Sequence, residues 1–386
     1  MTRYRTLMIR GRIVSANRTV DDGVVVISGE RIDAVYSIAQ WRAAYPDLSD
    51  PPHAGTVLPG LVDIHNHGGF GYRFDTVTGA HARAAARAHH AGGSTTVVAS
   101  VVTGPAAQLV AQTAMLRELV EEGTLGGIHL EGPFLAEARC GAQDPRFIRD
   151  PDPELTERLL CAGGGQIRMM TLAPERPGYP AVVQRLTESG VRIALGHTDA
   201  DYPTFHNALR PSGSGSMVTH LANAMPPLHH RNAGPVAAAL VATAAGAVTV
   251  ELISDGVHLD PGFVALVFAA APGRVALVSD AMAAAGCADG DYRLGAQPVT
   301  VRDGVARTAD GSIAGGTSTL WQCVVRAVRE SGIPLREAVL AATATPAGAL
   351  GLSEVGDLRQ GQLADLLTVD ADLQLRRVLR RGQWLS

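Results

Sequence analysis

Short runs dense in Val, Ile and Thr alternate along the chain with longer Ala-rich stretches. Eight such runs predict strands at 57–64, 94–100, 125–131, 167–173, 191–197, 215–220, 247–253 and 274–280. Ala-rich segments at 80–91, 105–122, 177–189, 234–245 and 260–270 fall between or beside them and predict helices. Repeated β-α units imply a parallel sheet, and eight of them imply closure into a (β/α)8 TIM barrel. The flanks differ. Leu7–Val14, Gly23–Ser28 and Arg31–Val35 are short β elements separated by turn residues such as Asp22-Gly23 and Gly29-Glu30. Leu363–Val369 and Arg376–Arg381 repeat that pattern, so 1–56 and 355–386 are expected to fold together as a small β-sandwich. Residues 57–354 form the barrel, with a β-hairpin excursion near 287–316 followed by helices at 318–331 and 334–344.

Composition narrows the picture. Apolar residues fill 46% of 386 positions, enough for a large core. The net charge of −4 gives no general attraction to nucleic acid or anionic membrane, so an anionic substrate must be held by local groups. The sequence contains no lysine, and all 33 basic residues are arginines, a bias that GC-rich coding explains. Whatever its cause, the bias excludes a Schiff-base lysine, a P-loop lysine and a carbamylated lysine between two metals. A bridge between two ions must then come from Asp or Glu. Cys140, Cys161, Cys287 and Cys323 show no CxxC spacing, which suggests free thiols in a reducing compartment. The segment MTRYRTLMIRGRI has no apolar signal core, and no uncharged run is long enough to cross a bilayer. A cytoplasmic protein without membrane or nucleic-acid partners is expected.

The chemistry lies where polar residues interrupt the strands. His65 and His67 end the first run in VDIHNHGG, Glu131 the third in GIHLEGPF and His197 the fifth in ALGHTDA. His220 ends the sixth in VTHLANAM, and Asp280 the eighth in VALVSDAM. Each lies at or just beyond the C-terminal end of its strand, the face on which a barrel gathers its site. Imidazole and carboxylate suit a divalent metal, Zn2+ first, with Fe2+, Mn2+ or Co2+ as alternatives. Alternation along a strand points His65 and His67 the same way. Glu131 is placed to bridge two ions, and Asp280 to hold an activated water and take its proton. A single histidine is more often structural; His53, His81, His89, His90, His129 and His206 are read so. Five ligands and an aspartate at strand ends are not explained that way.

LPGLVDIHNHG, GIHLEGPF, LGHTDA, THLANAMPPLHHR, SDGVHL, VSDAM, IAGGTSTL and LRQGQLADLLTVD run from residue 58 to 370. These segments resemble the N-acetylglucosamine-6-phosphate deacetylases of the amidohydrolase superfamily. HLEGPF followed by GHTDA and THLANAM is specific, whereas HxH and GQLADL are shared more widely. The resemblance implies a barrel with a small β-sandwich, assembled as a homodimer. It implies that Glu131, His197 and His220 hold the tighter of one or two ions, and that Asp280 is general base and acid. Some relatives lack the HxH pair and use one ion; with His65 and His67 intact, a second ion beside Glu131 is implied. A phosphate site is implied too: Asn223 and Ala224 as donors, Arg231 from its own or the neighbouring subunit, and His258 at the same end of the sugar. The planar fork of arginine suits phosphate oxygens. His229 and His230 are read as loop residues. One position departs from the family. Many relatives carry a histidine in a Gly-x-His motif after EGPF, where this chain has Gln143 in RCGAQDPRF. Glutamine can donate to a substrate carbonyl but carries no charge. Cys140, on the same loop, is read as a passive small residue.

The expected reaction is hydrolysis of the acetamide of N-acetylglucosamine 6-phosphate, a phosphorylated amino sugar. The rivals are a deacylase of another N-acyl amino sugar or N-acyl amino acid, which Gln143 leaves open, and an inactive barrel kept as a scaffold. The complete ligand set argues against the scaffold.

Overall fold

A computed structural model describes residues 6–16, 18–209 and 216–385, so residue 215 of the expected sixth strand lies outside the described residues. The apolar runs form eight parallel strands: β1 (Val62–Asn66), β2 (Thr96–Val102), β3 (Gly127–Glu131), β4 (Ile167–Leu172), β5 (Arg192–Leu195), β6 (Ser216–Val218), β7 (Val248–Leu252) and β8 (Val275–Leu277). Each pairs with the next in chain order. A helix follows each strand: α1 (Gly79–Ala91), α2 (Ala106–Glu121), α3 (Pro153–Gly163), α4 (Tyr179–Glu188), α5 (Tyr202–Ala208), α6 (Gly234–Ala244), α7 (Pro261–Ala270) and α8 (Leu320–Arg329). Local sequence sets several helix starts. Asp152, Asp201 and Asp260 cap α3, α5 and α7 ahead of a proline in the first turn, and Thr319 with Gln322 forms a capping box on α8.

The first and last strands meet just beyond their ends. Asp280 N–H donates to His65 O (3.0 Å), and His67 N–H donates to Ala281 O (2.7 Å). Inside the barrel, Val62, Ile64, Val98, Met169, Ala194, Met217, Ala276 and Val278 form an apolar layer, closed at one end by Ala347 and Leu350. A polar layer lies above it. The His129 ring bonds to Ser100 Oγ (2.9 Å) and Thr171 Oγ1 (2.8 Å), and Thr171 bonds in turn to Thr219 (2.7 Å). His129 is thus a structural histidine with both nitrogens engaged.

Strand β1 breaks the simple alternation. Val62 pairs with Thr96 and Asp63 with Val97, but Asn66 pairs with Ala99, one residue early. This bulge flips the parity. Ile64 packs in the barrel interior, yet so does His65, while Asp63 and Asn66 both bond Ser279 on the outer side. Uninterrupted alternation from Val62 would have turned both histidines of HNH outward.

The run expected as one strand at 57–64 is two. His53–Pro59 belongs to a seven-stranded sheet with Leu7–Val14, Thr19–Ser28, Arg31–Ser37, Leu366–Val369, Leu375–Arg380 and Gln383–Trp384; only Val62–Asn66 enters the barrel. The terminal unit is one continuous sheet curled on itself. Its edge returns through an Arg31–Leu363 bridge, and Ile9, Ile13, Val25, Ile27, Val57, Leu366 and Leu379 share its core. The excursion is three strands, Gly290–Leu294, Gln297–Arg302 and Val305–Arg307, rather than a single hairpin.

Gly60 sits where the chain passes from one sheet to the other. A Cβ there would lie 2.1 Å from Thr95 Oγ1 and 2.9 Å from Thr95 Cβ. Gly60→Ala should therefore lower stability by about 1–3 kcal/mol in urea unfolding, the usual cost of overpacking. An unchanged midpoint would show that this contact is not tight.

Candidate metal centre

His65 is carried by β1 and Glu131 by the last residue of β3, with His67 immediately beyond β1. His197, His220 and Asp280 lie just past β5, β6 and β8 on left-handed backbone, at φ 46°, 26° and 46°. Such φ values are costly outside glycine and gather at functional sites. Here they bend the chain off the strand so that each side chain faces the barrel axis.

All six expected residues converge. Two groups of three have ligand atoms close enough to hold one ion each: His65, His67 and Asp280, and Glu131, His197 and His220. Glu131, a member of the second group, also reaches the first. Its Oε1 is 3.1 Å from His197 Nε2, 3.0 Å from His220 Nε2 and 3.5 Å from His65 Nε2. Its Oε2 is 3.3 Å from His67 Nε2. Asp280 Oδ1 lies 3.1 Å from His67 Nε2 and 3.4 Å from His65 Nε2.

The electrostatics are those of a cation site. Burial works against charge on His65, but the carboxylates of Asp280, Glu251 and Glu131 outweigh it and hold its pKa well above the ordinary value. Burial also opposes charge on His67, yet hydrogen bonds to Asp280 and Glu131 lift it to about 9. Burial disfavours the Asp280 carboxylate, and His65 and His67 overcome this to bring it down to about 2. Carboxylates facing imidazoles with no arginine among them suit divalent ions bound through nitrogen and oxygen. The donor set therefore fits the expected metal.

The surroundings fix these side chains. His197 Nδ1 donates to Arg139 O (2.8 Å), and the His197 carbonyl accepts from Ala136 N–H (2.9 Å), tying the ligand to the loop after β3. Behind β1, Asp63, Asn66, Ser279 and the fully buried His89 form a hydrogen-bonded cluster, so His89 is a core histidine. Glu251, on β7, was hidden from the sequence reading inside the apolar run VTVELI. It is fully buried, and its Oε2 meets His65 Nδ1 (2.9 Å) and His220 N–H (3.1 Å). A lone carboxylate in a strand otherwise fit for the core was the available signal.

Over the ligands lies a pocket of about 270 Å³ whose lining includes Gln143, Asn223, Ala224 and His258, with Leu294 and Ile313 from the excursion side. Gln143 does not stand free to meet a substrate. Its Nε2 donates to Glu131 Oε2 (2.6 Å), and its Oε1 accepts from Thr103 N–H (2.7 Å). The Asn223 N–H (2.9 Å) and Nδ2 (3.2 Å) both donate to His220 O, turning these donors back into their own loop. Asp255 Oδ2 bonds His258 Nδ1 (2.8 Å); burial opposes charge on this ring, and Asp255 raises its pKa nonetheless. Arg231 is exposed and does not line the pocket of its own chain.

Metal-stripped protein should show the cluster's charge in its stability. His67 moves from an ordinary 6.5 up to about 9 on folding. Its contribution is therefore complete below pH 6.5 and lost as pH rises through about 9. The thermal midpoint of chelator-treated protein should fall across that window, and saturating Zn2+ should remove the fall. A flat metal-free profile would contradict this electrostatic picture.

Known proteins share this arrangement's frame. The N-acetylglucosamine-6-phosphate deacetylase of Vibrio furnissii is 33% identical over 332 residues, spanning 85% of this chain and 82% of that protein. The N-acetylgalactosamine-6-phosphate deacetylase of Escherichia coli O157:H7 is 32% identical, spanning 86% and 88%. A variant of N-acetyl-D-glucosamine-6-phosphate deacetylase from Mycobacterium smegmatis, solved in complex with N-acetyl-D-glucosamine-6-phosphate, has a TM-score of 0.91. It is 39% identical, covering 98% of this chain and 99% of its own. Residues 56–384, which hold the barrel and every residue of the cluster, match the amidohydrolase family, and the chain belongs to that family.

Proposed function

We propose that this amidohydrolase removes the acetyl group of N-acetylglucosamine 6-phosphate, releasing acetate and glucosamine 6-phosphate. The observation that carries the reading is the strand-end cluster itself, with Glu131 of one three-residue group reaching the other and Asp280 lining the pocket. The relatives named above supply the substrate class. His65, His67 and Asp280 on one side, and Glu131, His197 and His220 on the other, would hold one or two divalent ions, with Zn2+ the first choice. A divalent ion there supplies Lewis acidity, polarising the acetamide carbonyl and lowering the pKa of water to about 7. Asp280 takes the proton of the attacking water and returns it to the amine nitrogen as the C–N bond breaks, because an amide anion is a very poor leaving group. Gln143, bonded to Glu131 and to the Thr103 backbone, would hold the Glu131 carboxylate in place beside the ion rather than touch the carbonyl itself.

The phosphate reading gives the phosphate to Ala224 and His258, with Asn223 holding the loop that carries Ala224 and Arg231 reaching in from a second copy of the chain. Exposure of Arg231 outside its own pocket favours this. So does the neighbouring surface. Helices α6 (GPVAAALVATA) and α7 (PGFVALVFAA) carry no charged residue, and Leu228, Val241 and Leu266 are each about half exposed. That face suits a homodimer contact. Four free cysteines fit a reducing cytoplasm, and among the described residues no helix is long and apolar enough to cross a membrane.

The test is acetate release from N-acetylglucosamine 6-phosphate by metal-stripped protein with single metals added back. The galactosamine epimer and the unphosphorylated sugar serve as comparisons. No release with any metal would end this reading. Asp280→Asn should bind the sugar phosphate yet retain less than a tenth of turnover; more than that removes its proton-transfer role. Arg231→Ala should chiefly raise KM for the phosphorylated sugar. Mixed dimers of the Arg231→Ala and Asp280→Asn chains should regain one working site. Failure of the mixture to regain activity would place Arg231 in its own subunit's site.

A further inference from the structure

The histidines of the cluster differ in what stands behind them. His197 Nδ1 is backed by a neutral carbonyl, Arg139 O. Among the described residues, the buried His67 Nδ1 and His220 Nδ1 have no partner. Only His65 is backed by a carboxylate, with its Nδ1 2.9 Å from Glu251 Oε2. Glu251 is fully buried on β7, its Oε1 has no partner, and its only ion-pair neighbour among the described residues is the His65 ring. A buried carboxylate costs several kcal/mol of hydration and is kept where something repays it. The interior layer just below is built of Val98, Met169 and Met217, so Glu251 marks the level at which the barrel interior turns from apolar to charged.

We propose that Glu251 is a positioning residue that makes the His65, His67 and Asp280 group a genuine metal site. This rests on the two-ion reading above and deepens it. A carboxylate oxygen only accepts, so it holds the His65 hydrogen on Nδ1 and leaves Nε2 for the ion. The negative charge behind the ring strengthens that nitrogen as a ligand. The same oxygen accepts the His220 N–H at 3.1 Å, where the backbone turns left-handed. One atom thereby sets the orientation of a side chain in one group and a backbone turn in the other. His197, backed by a peptide carbonyl, has no such reinforcement, so the effect falls unequally on the two groups.

The experiment titrates metal-stripped full-length protein with Zn2+ against a competing chelator and counts ions per chain. The parent should bind two ions. Glu251→Gln, which keeps the shape and an accepting oxygen but loses the charge, should bind the first ion with parental affinity. Its second ion should bind about 10- to 100-fold more weakly, the usual effect of removing such a support. Glu251→Asp, which keeps the charge but withdraws it by one carbon, should also weaken the second ion, and stands in should Glu251→Gln fold poorly. In a His67→Ala background, Glu251→Gln should leave the single remaining ion unchanged. Two ions at parental affinity in both Glu251 variants would overturn the role of Glu251 while leaving two ions standing. A parent that binds one ion would overturn the two-ion reading and this proposal with it. Equal weakening of both ions would also overturn it, by showing that Glu251 supports the whole cluster rather than one group.

Discussion

Two main-chain hydrogen bonds draw the last barrel strand against the first, and residues of the ligand cluster supply three of their four partners. Asp280 N–H reaches His65 O, and His67 N–H reaches Ala281 O. Strand β8 is only three residues long, so closure at this seam falls to the segment just beyond it. The side chains of His65, His67 and Asp280 meet because their backbones are already joined. Fold and site are here one constraint: the seam cannot loosen without parting one ligand group, and that group's geometry is fixed once the cylinder shuts.

The second constraint is electrostatic. Glu131 lies within 3.5 Å of four imidazole nitrogens, and Asp280 and Glu251 add further negative charge to the same interior. In a chain without lysine, a carboxylate is the available bridging group, and Glu131 lies within reach of both three-residue groups. The amide of Gln143 holds one oxygen of that carboxylate, and the Thr103 backbone holds the amide. Where relatives carry histidine, this chain has a neutral clamp on its central carboxylate. That is a different use of the position from the substrate contact the motif alone suggests.

Much of this was legible in the sequence, because β-α repetition and polar residues at strand ends both leave local marks. His65, His67, Glu131, His197, His220 and Asp280 could be named from their places in apolar runs. What stayed hidden depends on register and on partners far along the chain. Alternation alone sends His65 outward from Ile64, and only the bulge opposite Val97 and Ala99 restores it. The division of 57–64 turns on Gly60, whose neighbour Thr95 is remote in sequence. Glu251 was masked by the apolar residues around it. The donors of Asn223 and Gln143 are committed to protein groups that motif comparison does not reveal.

The loop after β3 is fastened to the ligands at three places: Arg139 O to His197 Nδ1, Ala136 N–H to His197 O, and Gln143 to Glu131. It is therefore a fixed wall and cannot serve as a door, since swinging it aside would drag two ligands out of place. Leu294, Ser312 and Ile313 also line the pocket, and among the described residues none of them is hydrogen-bonded to the six residues of the cluster. A change of side chain on the excursion side can therefore reshape the pocket without pulling on the six residues of the cluster.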